Sequence, residues 1–134
     1  MEAYVTVVYG RHVEIACAAA VLGRQLTRLD RTRRRIALVH DISPTMEEIL
    51  QRANWMVQAV TEITGHEFGA LPHVAHAIKL AVLALRAERL LYFDVDHVPY
   101  HPANRSQLER LWKLPLTGSI AALASFNGAC NARP

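Results

Sequence analysis

The chain has 134 residues, 51% of them hydrophobic, and 15 basic against 12 acidic residues give a net charge of +3. That length allows one domain with one real core, and no apolar run reaches the roughly 18 residues of a membrane span. Met1-Glu2 runs straight into strand-like sequence without a basic n-region or cleavage site, so a cytoplasmic protein is expected.

Ala3 to Tyr9 (AYVTVVY) is rich in β-branched and aromatic residues and predicts a first strand. Gly10-Arg11-His12 breaks it. From Ile15, apolar residues recur at Ala18, Ala19, Leu22, Leu26 and Leu29, the spacing of a helix with one buried stripe. Cys17 falls in this alanine-rich helix and reads as a small packing residue. With Cys130 so distant, the two cysteines make neither a disulfide framework nor a zinc site.

Six of the 15 basic residues lie between Arg24 and Arg35. This charged turn reads as a solvated arginine-rich surface, with a phosphate-bearing partner as the alternative. No aromatic residue is interleaved with the arginines, which argues against single-stranded nucleic acid. A second strand is expected over Arg35–His40. Ser43 and Pro44 then give an N-cap and a proline at the first helical position, with Glu47 and Glu48 in the first turn. That helix is expected to end near Asn54, with a third strand over Trp55–Val60 and a loop over Thr61–Pro72.

A helix is predicted from about His73 to Glu88, with Val74, Ile78, Ala81 and Leu85 on one face. Lys79 is the one charge in its apolar middle. Its ammonium either snorkels to water past an apolar surface or meets a phosphate. The run Leu90-Leu91-Tyr92-Phe93 then leads directly into Asp94-Val95-Asp96. A short apolar run of this kind reads as a buried strand, and strand alternation would place both carboxylates on one side at its carboxyl end. In open α/β sheets that end is where ligands bind. Two carboxylates on one side repel unless a cation lies between them, which suggests Mg²⁺ or Mn²⁺ shared with a diphosphate. The alternative is an aspartate pair capping a turn. Ser106 and Glu109 have capping-box spacing and predict the start of a short helix carrying Leu111 and Trp112, and Ser119–Ala124 is a last strand candidate.

Alternating strands and helices predict an α/β fold with a mostly parallel sheet flanked by helices. The run AYVTVVY, the helix ending AAAVLGRQL, the turn into RRIALVH, and above all HAIKLAVLAL followed by LLYFDVD resemble glycosyltransferase family 8, which includes glycogenins and galactinol synthases. The likeness covers about Ala3 to Ala124 and corresponds to the N-terminal, nucleotide-binding part of such enzymes. It implies a Rossmann-like domain of the nucleotide-diphospho-sugar transferase type, C-terminally truncated, with residues 1–134 forming one incomplete domain. The activity implied is retaining transfer of a hexose from a UDP-sugar to an acceptor, with Mn²⁺ or Mg²⁺. On that resemblance Asp94 and Asp96 correspond to the metal-binding pair, and Asp94 also contacts the donor. Lys79 corresponds to a lysine near the donor, the backbone of Val7 and Val8 to the lining of the uracil pocket, and Asn127 to a donor contact within Phe126-Asn127-Gly128-Ala129.

The chain departs from that family at several places. Val13, Glu14 and Ile15 supply no aromatic ring against the uracil, His73 and His76 stand where an arginine precedes the lysine, and no His-x-x-Gly-x-x-Lys segment follows. His97 and His101 are either replacement nitrogen ligands or exposed turn residues. A truncated sheet implies a partner or second copy over the exposed side. The competing readings are a degenerate, non-catalytic module that binds nucleotide weakly, and an Asp-x-Asp phosphatase. The phosphatase motif normally opens its domain, whereas here most of the chain precedes it.

Overall fold

The computed structural model describes residues 1–67, 75–99 and 104–115, the side chains of residues 75, 76 and 104 excepted. The elements run β1 (Glu2–Tyr9), α1 (Val13–Leu29), β2 (Arg34–His40), α2 (Pro44–Arg52), β3 (Met56–Ala59), α3 (Val60–Thr64), α4 (Ala75–Leu80), a 3₁₀ turn (Ala81–Ala84), β4 (Arg89–Tyr92) and α5 (Asn104–Trp112). The four strands form an all-parallel sheet in the order β3-β2-β1-β4. This is an α/β fold of Rossmann-like topology. No helix among the described residues is long and apolar enough to cross a membrane.

Strand β1 is central, and its residues Ala3 to Val8 are all buried, as a strand covered on both faces requires. Tyr4 and Val8 pack with α1, α2 and α5, around Leu22, Leu26, Leu50 and Trp112. Ala3, Val5 and Val7 face the other way, onto Val60, Ile78, Ala81 and Val82 of α3, α4 and the 3₁₀ turn. Alternation within one strand therefore feeds two cores.

Helix α1 buries Ala16, Ala19, Leu22, Gly23, Leu26 and Leu29. The expected stripe is present but rotated slightly, so Ala16 is buried and Cys17 is exposed, contrary to its reading as a packing residue. Gly23 allows the closest approach: a Cβ there would lie 2.3 Å from Trp55 Nε1 and 2.8 Å from the Ala53 carbonyl oxygen. Trp55 Nε1 donates to the Ala19 carbonyl at 2.7 Å. Trp55 therefore precedes β3 as a core anchor instead of opening it.

Ser43 caps α2 as expected, its hydroxyl accepting from the Met46 N–H at 3.3 Å. The helix stops at Arg52, two residues earlier than the sequence suggested, because Asn54 takes a left-handed φ of 64°. Three further expectations are corrected. The predicted loop begins with helix α3, where Glu62 accepts from the Ala59 N–H and Gly65 closes the helix at φ 69°. The lysine-bearing helix tightens to 3₁₀ and ends at Ala84, short of Glu88. Ser106 lies inside α5, which already starts at Asn104, so it does not cap that helix. His73, His101, Asn127, Cys130 and the candidate strand Ser119–Ala124 lie outside the described residues.

The arginine-rich turn is partly built into the fold, not simply solvated. Arg33 bonds Glu2 and Asp30 at 2.7 Å each and Glu109 at 3.0 Å, and its guanidinium lies 4.6 Å from the Trp112 ring centroid. Asp30 also accepts from the Thr32 N–H at 2.8 Å, as an Asx turn does, and from the Tyr4 hydroxyl at 2.9 Å. Trp112 Nε1 donates to that same hydroxyl at 2.9 Å. Burial opposes the charge on Asp30, but bonds from Arg33, Thr32 and Tyr4 outweigh it and hold the carboxyl well below its usual range. Burial pushes the Tyr4 hydroxyl up to about 12, against the Trp112 bond and with help from Asp30. This network joins β1, the α1–β2 turn and α5 at the amino end of the sheet.

Candidate functional site at the carboxyl end of the sheet

Strand order fixes the position of the site. From β1 the chain builds β2 and β3 to one side, then returns to place β4 on the other. The boundary between β1 and β4 is therefore the topological switch point, where crevices open at the carboxyl ends of strands. Pairing of β1 with β4 stops at Val5 and Tyr92, whereas pairing of β1 with β2 continues to Tyr9 and His40. The β4-side backbone of Val7 and Val8 thus lies past the last paired residue of β4. Their side chains are buried, one in each core.

The apolar run that precedes the aspartates is a strand only as far as Tyr92. The Phe93 N–H still donates to the Val5 carbonyl at 2.9 Å, and Thr6 Oγ1 donates to the Phe93 carbonyl at 2.8 Å. A turn then closes with the His97 N–H donating to the Asp94 carbonyl at 3.0 Å. Asp94 and Asp96 are therefore brought together by a turn and not, as expected, by strand alternation. One ligand atom from each of Asp94, Asp96 and His97 can be chosen so that all lie within 4.8 Å of one another.

Asp94 is the organised member of the group. Its Oδ1 accepts from Lys79 Nζ at 2.7 Å and from the Tyr92 hydroxyl at 2.5 Å. Burial raises its pKa, but the Lys79 ammonium and the Tyr92 hydroxyl more than compensate, so the carboxyl stays below its ordinary value and ionised. Tyr92 is pushed upward, by burial first and then by its bond to Asp94, and remains a neutral donor. Asp96 is more open and pairs with His97 Nδ1 at 2.9 Å, with side-chain exposures of 77% and 58%. Lys79 thus neither snorkels alone nor stands apart awaiting an anion; α4 carries it across to the turn after β4.

Two carboxylates and an imidazole form a donor set suited to a divalent ion of the Mn²⁺ type. With the three ligand atoms within 4.8 Å of one another, side-chain rotation could bring them onto one ion. Asp94 and Asp96 would supply oxygen and His97 nitrogen. Tyr92 and Thr6 were missed as site residues in the sequence. Tyr92 carried a signal, since its hydroxyl ends an otherwise apolar run of leucines two places before Asp94. Thr6 carried none, being a β-branched residue in a strand of them.

Compared with protein-family models and with curated proteins, the chain matches none. The class established is thus that of the fold, a Rossmann-like parallel α/β domain with a carboxylate-rich turn at its switch point.

Proposed function

We propose that the carboxyl end of the sheet binds a UDP-sugar with a divalent metal, and that the chain is a nucleotide-sugar-binding domain of a retaining, glycogenin-like hexosyltransferase. The observation that carries this reading is the position of Asp94, Asp96 and His97 at the β1–β4 switch point, with Lys79 held against Asp94 at 2.7 Å. The resemblance of HAIKLAVLAL and LLYFDVD to that enzyme family supplies the substrate class. When bound, the metal supplies positive charge against the diphosphate leaving group. Asp94 and Asp96 hold that position, Tyr92 orients Asp94, and Lys79 is close enough to pass from carboxylate to phosphate. The backbone of Val7 and Val8 is assigned to the base, and Asn127 to the donor.

A non-catalytic nucleotide-binding module is the second reading, favoured by the ion pair that commits Lys79 to Asp94. Calorimetric titration of UDP, with and without Mn²⁺, tests both readings. Binding that requires Mn²⁺ and weakens at least tenfold in Asp94→Asn/Asp96→Asn is expected. Its absence from a folded sample, shown by an unchanged circular dichroism spectrum, overturns the site. Release of UDP from UDP-hexoses distinguishes the transferase from the module.

A further inference from the structure

A groove at the opposite end of the molecule lies between the end of α1 and helix α5. Arg28 and Arg31 stand on one wall and Arg105 and Glu109 on the other, around a hollow of about 440 Å³. Arg105 and Glu109 also line a second hollow of about 560 Å³, which continues along α5 to Arg110 and Lys113. The two hollows adjoin, with Arg105 and Glu109 common to both. Asp30 and Glu109, the carboxylates that line it, are both bonded by Arg33 at 2.7 and 3.0 Å. Arg33 offsets part of their charge from within the fold, and the five remaining cations of the two hollows outnumber these two carboxylates. Among the described residues no carboxylate pairs with Arg28, Arg31, Arg105, Arg110 or Lys113. Arg105 also sits in the first turn of α5, where the helix dipole disfavours a cation.

We propose that this groove binds the phosphodiester backbone of a single-stranded nucleic acid without reading its bases. Four of the five cations are arginines, whose planar forks match phosphate oxygens in pairs. Two adjoining hollows suit a linear polyanion better than one small anion. The smaller hollow is the more enclosed of the two and is lined by the buried residues Leu29 and Asp30, which suits a strand better than a flat bilayer. Among the described residues no aromatic side chain lines either hollow, and the Trp112 ring is taken up by Arg33. Among the described residues bases therefore meet no stacking platform, and contact falls to the phosphates.

Fluorescence anisotropy of a labelled oligothymidylate of about 20 nucleotides, titrated with the full chain, tests this. Five phosphate contacts predict a slope of log K against log salt near −3.5, which is on the order of a hundredfold weakening from 50 to 200 mM. Arg28→Gln/Arg105→Gln should weaken binding at least fivefold at low salt and flatten the slope to about −2. Arg11→Gln/Arg52→Gln removes the same charge elsewhere and should stay within twofold. The Asp94→Asn/Asp96→Asn variant should bind as the parent does, which separates this groove from the metal site. Equal weakening by both arginine pairs, no binding by folded protein at low salt, or binding to phosphatidylserine vesicles in place of the oligonucleotide overturns the proposal.

Discussion

At the amino end of the sheet, Arg33 lies over the ring of Trp112 and holds Asp30, Glu2 and Glu109, and the Tyr4 hydroxyl completes the group. At the carboxyl end, Lys79 and Tyr92 hold Asp94, while Asp96 and His97 extend into solvent. Both ends place carboxylates beside a cation, but the surroundings differ. The Arg33 and Asp30 side chains are 17% and 6% exposed, and each partner has several bonds. Lys79 and Asp94 are 35% and 38% exposed and water reaches both. A saturated, buried network fixes elements to one another, whereas an open, partly saturated one can exchange its partners for a ligand.

The largest effect expected from this contrast is at Arg33. Arg33→Met strands the buried Asp30 carboxylate and should cost about 3–5 kcal/mol in urea denaturation. A loss under about 1 kcal/mol would show that the amino end is no more a fastening than the carboxyl end. Tyr4→Phe removes the hydroxyl shared by Trp112 and Asp30, and should cost about 1–3 kcal/mol. The same residue sets an alkaline limit. The folded hydroxyl titrates at about 12 against an ordinary 10.0, so folding favours its protonated form. Its contribution is complete below pH 10 and is lost as pH rises towards 12, and Tyr4→Phe should lose that part of the alkaline decline. Least of all, Lys79→Met should change stability by no more than about 1 kcal/mol, because exposed ion pairs contribute little. Its effect should appear instead in Mn²⁺-dependent UDP binding, measured by calorimetry.

The difference between the ends also explains what could be read from the sequence. Strands β1 and β2 were legible because AYVTVVY and RIALVH are buried on both faces, so composition and structure agree. The start of α2 was legible because Ser43 and Pro44 act locally. Asp94, Asp96 and Lys79 stood out as candidates through charge in apolar surroundings. The turn that joins the aspartates was legible only as the alternative, since Val95 continues the appearance of a strand. The amino-end network was hidden, because Asp30 meets Tyr4 and Arg33 meets Glu109 only after the chain has folded back over long separations. Local chemistry showed the elements, and tertiary contact decided how their charges are shared.

Strand β4 adds a consequence for the order of assembly. Strands β1, β2 and β3 are joined through helices close in sequence, whereas Thr6 bonds the carbonyl of Phe93 across 87 residues. Closing so long a loop costs entropy that only a few paired residues of β4 offset. The β1–β3 unit is thus expected to consolidate early in folding and β4 to dock late. Because Asp94 follows β4 and Lys79 reaches it from α4, the candidate site comes into being only at that last event, and a chain stalled before it carries most of a fold and none of the site.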